Sequence, residues 1–481
     1  MPNTWNFPEN RYFDPDPTVQ RAALELYRRI RDLPIISPHG HVDPRLFSDP
    51  NATFGSPADL LIIPDHYVFR MLHSQGISFE AMGIPPGQAG AESDHRKIWK
   101  LFCEWFHLFR ATPSGAWLGY ELNQVLGIEE VPEAENAGRL YDQIAERLAS
   151  PEFQPRRVFE RFNIEVLATT DAAGDPLAAH AALRVSGWKG RIIPTFRPDT
   201  VINLDTEGWR THLAALETSS GIPVQSYSDF LSALAQRRAF FKEMGATACD
   251  HGVFEPQTAP LPESEAAAIF ERALAGQVSR ADAARFGSHM LLEMARMSCE
   301  DGLVMQIHPG SYRNHNPAIL ERHGRDKGYD IPVQTEYTRA LRPLLARYGE
   351  DPRLSLILFT LDETTSSREL PPWRGSIPRS RSARPGGSMT PGMGCAAIST
   401  RSWRPPGSTT RPGSTTIPAP SSPSRPGTTC GGAPRPTGWA GWWRAACWGW
   451  RRRVKWLPSW HTACLARRTA WRRRPDAWML H

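Results

Sequence analysis

The sequence predicts an α/β fold, a (β/α)8 TIM-type barrel with a helical insertion after its first strand. Short apolar runs, several of them β-branched, alternate with helix-like stretches, and each run ends in polar residues. Such alternation is typical of a parallel sheet that is either closed or doubly wound. Polar residues at the carboxyl ends of successive strands favour the closed barrel, because its active sites are built there.

The elements follow one another over the first 370 residues. Apolar residues recur at helical spacing over 18–33, and Pro34–His41 forms the first extended run. Further strands are predicted at Ile164–Asp171, Arg191–Asp199, Gly245–Gly252, Gly302–Gly310 and Leu354–Glu363. Helices are predicted at 206–218, 228–244, 263–275, 280–298 and 335–348. The long gap between the first two strands needs helices of its own. A barrel domain over 1–370 is therefore expected to carry a helical insertion at about 45–160.

Charge and composition divide the chain at Leu370. The whole chain carries 56 Lys and Arg against 50 Asp and Glu. Nineteen of the basic residues and one acidic residue, Asp476, follow Leu370, which leaves a net charge of −12 on the preceding part. An acidic body is ordinary for a soluble enzyme. The segment 371–481 is rich in Pro, Gly, Ser and Arg and then in Trp and Arg, so it is predicted to be mostly disordered.

The sequence lacks the signals of a secreted or membrane protein. It has no apolar stretch long enough to span a bilayer, and its N-terminus lacks the basic-then-apolar order of a signal peptide. Its seven cysteines, an odd number, do not indicate a disulfide framework. We therefore expect a cytoplasmic protein.

His39-Gly40-His41 lies at the end of the first predicted strand. Alternate residues of a strand point to the same side, so both imidazoles can enter the barrel mouth and share one metal ion. Divalent zinc accepts His nitrogen atoms and keeps one position open in catalytic sites. Two surface histidines near a turn are the alternative, which this short spacing does not exclude.

Three further polar residues lie at predicted strand ends. His308 closes an apolar run, where a histidine is either a core residue or a ligand. Asp250 is either a general base or a helix N-cap. Arg197 can grip a carboxylate in bidentate fashion or pair structurally with Asp199. Together with the two histidines after the first strand, they place three His, one Asp and one Arg on one face, which core packing does not require.

Asp65-His66-Tyr67 and Arg70 lie outside the predicted strands. They form either an ordinary capping segment or a lid that brings a second cation to the substrate. Thr169-Thr170-Asp171 ends the second strand and is interpreted as organising the rim of the barrel.

Longer motifs resemble the uronate isomerase family, a branch of the amidohydrolase superfamily. They are SPHGHVDP, PDHYVFRML, TPSGAWLGYEL, ATTDAAGDPLAAH, PTFRPD, GATACDHG, QIHPGSYRNHNP and FTLDETTSSREL, within residues 25–370. DHYxxR, TTDxxxDPLxxH and FRPD are much more specific to this family than H-x-H. The resemblance implies three kinds of site residue, namely metal ligands His39 and His41, catalytic residues Asp250, His66 and Tyr67, and substrate-binding residues Arg197, Arg70 and His308.

The implied reaction is the aldose–ketose isomerisation of D-glucuronate to D-fructuronate, and of D-galacturonate to D-tagaturonate, in hexuronate catabolism. It moves a proton between C2 and C1, so it needs a base near both carbons and an electrophile on the carbonyl oxygen. A divalent metal, expected to be zinc, can supply these roles together with Asp250 or Tyr67. The expected partner is a small hexuronate, and a homo-oligomer is compatible with the sequence.

The resemblance stops at Leu370. The family pattern continues with APLAG, GPPWWFHDS, GFNDDTRAF and IPARHD, none of which is present in the printed sequence. When the permitted codons of Gly413–Thr429 are regrouped one nucleotide earlier, the segment becomes compatible with G-F-N-D-D-T-R-A-F-x-S-I-P-A-R-H-D. The same operation makes Arg384–Thr390 compatible with P-P-W-W-F-H-D and Pro371–Gly375 with A-P-L-A-G. Three matches in one order and one phase predict that the reading frame slips at about Leu370.

A frame slip at this point removes part of the predicted site. Strands seven and eight are expected to be missing or scrambled. The family's third protein metal ligand falls where Ile417 stands, and a family Arg falls where Ala419 stands. Because an apolar side chain cannot bind a hard cation, we expect this chain to be inactive or impaired.

Two other functions are compatible with parts of the sequence. A hydrolase of the same superfamily, acting on an ester, lactone or amide, would share the barrel and the metal, although the DHY and FRPD segments argue against it. The basic, Trp-rich tail is of a kind that can bind nucleic acid, since cations meet phosphates and aromatic rings stack on bases. Such a tail also arises when GC-rich codons are misread, so nucleic-acid binding is not expected.

Overall fold

The structure, a computed structural model, describes residues 3–370, Pro372 and the backbone of Ser380–Ala383. The strands are β1 (Ile35–Ser37), β2 (Ile164–Ala168), β3 (Asp171–Ala172), β4 (Arg191–Ile193), β5 (Phe196–Arg197), β6 (Ala248–His251), β7 (Val304–Ile307), β8 (Ser311–Tyr312), β9 (Ile331–Pro332), β10 (Leu356–Phe359) and β11 (Ser380–Ala383). The helices before β2 are α1 (Pro17–Ile30), α2 (Arg45–Ser48), α3 (Pro57–Leu61), α4 (His66–His73), α5 (His95–Glu104), α6 (Pro113–Tyr120), α7 (Ala137–Ala149) and α8 (Pro155–Arg161). The later helices are α9 (Ala178–Val185), α10 (Asp199–Ile202), α11 (Trp209–Ser220), α12 (Tyr227–Glu243), α13 (Glu263–Leu274), α14 (Arg280–Asp301), α15 (Pro317–His323), α16 (Arg342–Tyr348) and α17 (Glu363–Arg368).

The main strands are parallel, and their spatial order follows the chain. β1 pairs with β2 and β2 with β4, while β3, β5, β6, β7, β10 and β11 pair in that order. β2 and β3 are two parts of one extended segment, as are β4 and β5. Backbone hydrogen bonds from Thr169 to Ile193 and from Asp171 to Thr195 carry the pairing across the break. The six predicted strands are thus consecutive neighbours, as a barrel-type fold requires.

Helices α10 to α14 and α16 bury one large apolar core together with the later strands. In this core the ring of Phe230 stacks on that of Phe270, which stacks on Phe286, so that α12, α13 and α14 are held side by side. The helices predicted at 206–218, 228–244, 263–275 and 280–298 correspond to α11 to α14 within a few residues.

The helix predicted at 335–348 begins later than expected, at Arg342. The backbone N–H groups of Tyr337 and Thr338 donate to the Glu369 carboxylate, at 2.8 and 3.1 Å. The N–H of Thr335 donates to Asp362 at 3.2 Å. These tertiary hydrogen bonds satisfy the backbone in a non-helical form, which local helical periodicity does not reveal.

Helices α2 to α8 occupy the long connection between β1 and β2, and they have a core of their own. Trp99, Phe102 and Phe109 are fully buried in it, and the Trp99 indole N–H donates to the carbonyl of Ala137 at 2.9 Å. The Ile35 side chain of β1 belongs to the same cluster, so this core reaches the first barrel strand.

The backbone of Ser380–Ala383 adds β11 beside β10, with Leu356 opposite Ser380 and Phe359 opposite Ala383. The seventh position of the sheet is therefore taken by residues from beyond Leu370, where strands were expected to be missing or scrambled. The remaining expectations for the tail, including those on Ile417 and Ala419, lie outside the described residues. Within the described ranges, no helix has both the length and the apolar character needed to cross a membrane.

Candidate active site

Five of the predicted site residues come together at the carboxyl ends of the parallel strands. This strand-end cluster consists of His39 and His41 after β1, Arg197 at the end of β5, Asp250 in β6 and His308 after β7. The carboxyl ends of parallel strands meet at one edge of the sheet, so residues that are distant in sequence become neighbours there.

His39 and His41 face each other although they do not lie in a strand. β1 ends at Ser37, so the strand alternation assumed for this pair is wrong, and both residues lie in the irregular segment that follows. Their Nε2 atoms are 3.2 Å apart. The hydroxyl of Thr170 donates a 2.7 Å hydrogen bond to the carbonyl oxygen of Gly40, between them. Two imidazole nitrogens at this distance either share a proton or point to a common cation.

Asp250 lies at the centre of the strand-end cluster and is completely buried. Its Oδ1 atom is 2.7 Å from His308 Nε2 and 3.7 Å from His39 Nδ1, and its Oδ2 atom is 3.4 Å from Arg197 Nη1. Asp250 is part of β6 and does not cap a helix, so the alternative of a helix N-cap is wrong.

Burial and neighbouring charges set the protonation states of the cluster. Burial alone would raise the pKa of Asp250, but His308, His39 and Arg197 hold it well below its usual range. Burial lowers the pKa of His39 to about 4. Burial, with the positive charge of its neighbours, also places the pKa of His41 well below its ordinary value. At neutral pH the Asp250 carboxylate is therefore charged while the His39 and His41 imidazoles are neutral, and metal ligands need these protonation states.

Arg197 is held by two carboxylates. Its Nε atom lies 2.6 Å from Asp199 Oδ2, so the structural pair left open by the sequence is present, and its Nη1 atom contacts Asp250. Burial opposes the charge, but Asp199 and Asp250 raise the pKa of Arg197 above its ordinary value. The Gly252 N–H donates to the same Asp199 oxygen at 3.0 Å, and a side chain at Gly252 would collide with the guanidinium. Arg197 is thus locked in place.

The strand-end cluster offers ligand atoms for a divalent metal ion. Within the described residues, His39, Asp250 and His308 place ligand atoms within 4.8 Å of one another. Both carboxylate oxygens of Asp250 and Nε2 of His308 are buried without a hydrogen bond of good geometry, although the two side chains are in contact. Buried polar atoms normally have partners, and a divalent metal accepts these donor types. The residues present therefore fit such an ion.

His66, Tyr67 and Arg70 form a second group at the start of α4, called here the α4 group. Asp65 caps this helix by accepting hydrogen bonds from the N–H groups of Tyr67 and Val68, at 2.9 and 3.3 Å. The capping interpretation is therefore correct for Asp65. The His66 and Tyr67 rings are 4.3 Å apart, and the Arg70 guanidinium lies 5.1 Å from the centre of the Tyr67 ring.

The segment between β8 and β9 packs against the α4 group. Gly328 adopts a φ of +81°, and a Cβ atom there would lie 2.7 Å from the Cβ of Arg70. Burial, reinforced by the charges of Arg70, Arg313 and Lys327, lowers the pKa of His66 to about 3. Burial and these three positive charges therefore keep the His66 imidazole neutral at pH 7.

The same segment acts electrostatically on the strand-end cluster. The negative charge of Asp326 contributes to the raised pKa of Arg197. The α4 group contacts Gly328 and Trp117, whose ring is 5.9 Å from that of Tyr67.

Two residues of the site were missed by the sequence analysis. Gln306 is buried, and its side-chain amide is within hydrogen-bonding distance of the carbonyl oxygen of Pro38 and of Nδ1 of His39. It stands two positions before His308 in an apolar run, so strand alternation could have identified it. The Phe359 ring lies 5.3 Å from that of His39 and 5.8 Å from that of His308, and nothing in its sequence context distinguishes it from a core residue.

Known proteins are similar to this chain in sequence and in architecture. The glucuronate isomerase family model matches residues 16–369. A uronate isomerase of Nostoc punctiforme is 54% identical over 369 residues, which are 77% of this chain and 78% of that protein. The crystal structure of glucuronate isomerase from Caulobacter crescentus is 49% identical, with a TM-score of 0.76 over 78% of each chain. The crystal structure of a uronate isomerase from Thermotoga maritima, at 24% identity, has a TM-score of 0.73 over 82% of this chain and 85% of that one.

The Thermotoga structure supports the fold, and the two more similar proteins support the family as well. The predicted barrel-type α/β fold and the resemblance to uronate isomerases are both confirmed. Because the family model matches residues 16–369 and a member is 54% identical over 369 residues, the chain belongs to the glucuronate isomerase family.

Proposed function

We propose that this barrel descends from an enzyme that isomerises D-glucuronate to D-fructuronate and D-galacturonate to D-tagaturonate. We further propose that this chain is inactive or impaired in that reaction, because the C-terminal metal-ligand segment is lost. The observation that carries the proposal is the buried carboxylate of Asp250, held among His308, His39 and Arg197 at the strand ends. Aldose–ketose isomerisation needs a base near C1 and C2 in a site that excludes water.

We assign catalytic roles to Asp250, His66 and Tyr67. Asp250 is charged at neutral pH, so it is able to accept a proton from carbon. A base works best when its pKa is near the working pH, so the low pKa of Asp250 requires an electrophile that acidifies the substrate. Tyr67 and neutral His66, whose rings are 4.3 Å apart, are the other proposed proton-transfer groups.

The metal ligands are His39 and His41, with Asp250 and His308 as the further donors within reach. Imidazole nitrogen with carboxylate oxygen is a donor set that suits zinc. When bound, a divalent zinc ion supplies Lewis-acid polarisation of a substrate oxygen.

The two groups suit the two ends of an open-chain hexuronate. Its carbonyl and its carboxylate lie at opposite ends, and the reacting end belongs at the strand-end cluster. Arg197 is already engaged by two carboxylates, so it serves the substrate by orienting Asp250. Arg70, with Arg313 and Lys327 nearby, supplies the positive charge for the distant carboxylate, and His308 contacts the reacting end.

The inactivity proposal depends on the residues after Leu370. The family match ends at residue 369, and the aligned region is 78% of the Nostoc protein. Ile417 and Ala419 stand where the family pattern has a metal-binding Asp and an Arg. With apolar side chains at both positions, the site lacks one ligand and one cation.

The test compares this full chain with one whose reading frame is corrected at codon 371. We expect ketouronate formation from the printed chain to be roughly 10³-fold or more below that of the corrected chain. Equal turnover by the two chains would contradict the inactivity proposal.

His41→Asn in the corrected chain is the matched control. It should abolish turnover and reduce bound zinc, measured by elemental analysis. A corrected chain that hydrolyses esters or lactones without isomerising uronates would contradict the proposed reaction. We further propose that the protein is cytoplasmic and forms a homo-oligomer, which fractionation and sedimentation can test.

A further inference from the structure

Gln306 joins the centre of β7 to the segment that follows β1. Its side chain is 1% exposed. The amide nitrogen Nε2 lies 3.2 Å from the carbonyl oxygen of Pro38, and the amide oxygen Oε1 lies 3.0 Å from His39 Nδ1. Its backbone carbonyl is in turn 2.9 Å from His251 Nδ1. One residue of the sheet thus contacts two consecutive residues of the metal-binding segment.

The chemistry of these partners fixes the position of one proton. A backbone carbonyl oxygen can only accept, so the amide N–H of Gln306 must face Pro38 and the amide oxygen must face His39. An amide oxygen also can only accept, so His39 Nδ1 must carry the proton. A neutral imidazole has one N–H, which leaves the lone pair on Nε2. That atom lies 3.2 Å from Nε2 of His41.

We propose that Gln306 is a positioning residue that holds His39 in its Nδ1–H tautomer and so directs Nε2 to the metal shared with His41. A consequence concerns Asp250, whose Oδ1 atom lies 3.7 Å from His39 Nδ1. It faces an N–H and not a lone pair, so any ligand set that joins His39 to Asp250 and His308 must use Nε2 of His39. The inference rests on the proposed metal-binding role of His39 and is independent of the substrate.

The tautomer can be read directly in the metal-free full-length chain. In protein labelled with ¹⁵N in its histidine rings, two-bond ¹⁵N–¹H correlations distinguish the two tautomers, and His39→Asn identifies the His39 signals. We expect Nδ1–H in the unmodified chain. In Gln306→Met, which has a similar length but no acceptor, about half or more of the population should become Nε2–H. Gln306→Glu keeps an acceptor and should retain Nδ1–H.

Metal affinity gives the second measurement. Outer partners of metal-binding histidines typically affect metal affinity about 10–100-fold, so Gln306→Met should weaken Co²⁺ binding by this factor in an absorbance titration. Gln225→Met, at an exposed position, is the matched control and should leave binding unchanged. If Gln306→Met fails to fold by circular dichroism, Gln306→Glu carries the test.

The outcomes separate this inference from the proposed metal site. Nε2–H in the unmodified chain, or an unchanged tautomer in folded Gln306→Met, overturns the inference, as does loss of Nδ1–H in Gln306→Glu. If the tautomer responds as expected but the unmodified chain binds no Co²⁺, the positioning role stands and the metal-binding role of His39 fails.

Discussion

The strand-end cluster and the α4 group contribute to one proposed site, but different interactions hold them. Members of the strand-end cluster lie on or after parallel strands. An ion pair joins Asp250 to Arg197, and His308 Nε2 lies 2.7 Å from Asp250 Oδ1. The α4 group begins a helix, where ring contacts join His66 to Tyr67 and the latter to Arg70. A charged network on the sheet thus lies beside a mainly aromatic group on a helix.

This difference shows how the fold divides the tasks of the site. Strand ends are fixed by the ladder of the sheet, so they can hold buried charges at set distances. The α4 group packs under the segment between β8 and β9, which is largely a loop. Loops have fewer backbone hydrogen bonds to the core than strands, so the positions of these side chains are less tightly fixed. In the proposed reaction the reacting end of the substrate therefore lies beside the rigid group. Within the α4 group, Arg70 is the residue suited to recognition of the substrate carboxylate.

The largest expected effect is on stability, in Arg197→Met. Removal of this guanidinium leaves the nearly buried Asp199 and the fully buried Asp250 without their shared cation. Loss of one partner from a buried ion pair typically costs about 3–5 kcal/mol. We expect the free energy of unfolding, measured by urea denaturation at pH 7, to fall by about this amount.

Arg70→Met is the matched variant in the α4 group. Its guanidinium lies over the Tyr67 ring at a partly exposed position, and such a contact contributes about 0.5–1 kcal/mol. We expect a loss of no more than about 1 kcal/mol. If both variants cost the same, the proposed contrast between a rigid charged network and a weakly held recognition group fails.

Sequence reasoning identified the strand-end cluster because alternation and strand ends are local signals. His308 and Asp250 could be placed on one edge of the sheet once their runs were identified as parallel strands. The same logic applied to Gln306 would have found it, since it stands two positions before His308 in the same apolar run. The assumption that His39 and His41 lie in a strand was wrong, because β1 ends at Ser37.

Other features depend on contacts between distant segments, which local patterns do not encode. The start of α16 at Arg342 is set by Glu369, which accepts hydrogen bonds from Tyr337 and Thr338. The approach of Gly328 to Arg70 brings the segment between β8 and β9 onto α4 across more than 200 residues of chain. No periodic pattern in the sequence indicates either contact.

The next effect concerns pH and His66. Burial, with the charges of nearby Arg70, Arg313 and Lys327, lowers the folded-state pKa of His66 from 6.5 to about 3. Protonation therefore favours the unfolded chain, so the stabilising contribution of neutral His66 is complete above pH 6.5 and is lost as the pH falls towards 3. In His66→Gln, the slope of the free energy of unfolding against pH should be smaller by about 1.4 kcal/mol per pH unit within this window.

The measurement is the free energy of unfolding at several pH values between 4 and 6.5, compared between variants. His107→Gln, at an exposed position, is the control and should keep the slope of the unmodified chain. Because the strand-end histidines titrate equally in both variants, the difference in slope belongs to His66. An unchanged slope in His66→Gln would show that solvent reaches this imidazole, and the α4 group would then be open where we describe it as buried.

The smallest effect is expected at Thr170, which ties the strand-end cluster to the second strand. Its hydroxyl donates to the carbonyl oxygen of Gly40 at 2.7 Å. A Cβ atom on Gly40 would lie 2.9 Å from the carbonyl oxygen of Ala168, so the segment between His39 and His41 rests directly on β2. Thr170→Val keeps the shape but removes the donor, and a typical hydrogen bond contributes about 1 kcal/mol. We expect that loss in urea denaturation, and none in Thr170→Ser. Equal stability of all three chains would mean that backbone packing alone holds the two histidines, and the rigidity of the strand-end cluster would then come from the sheet and not from its side chains.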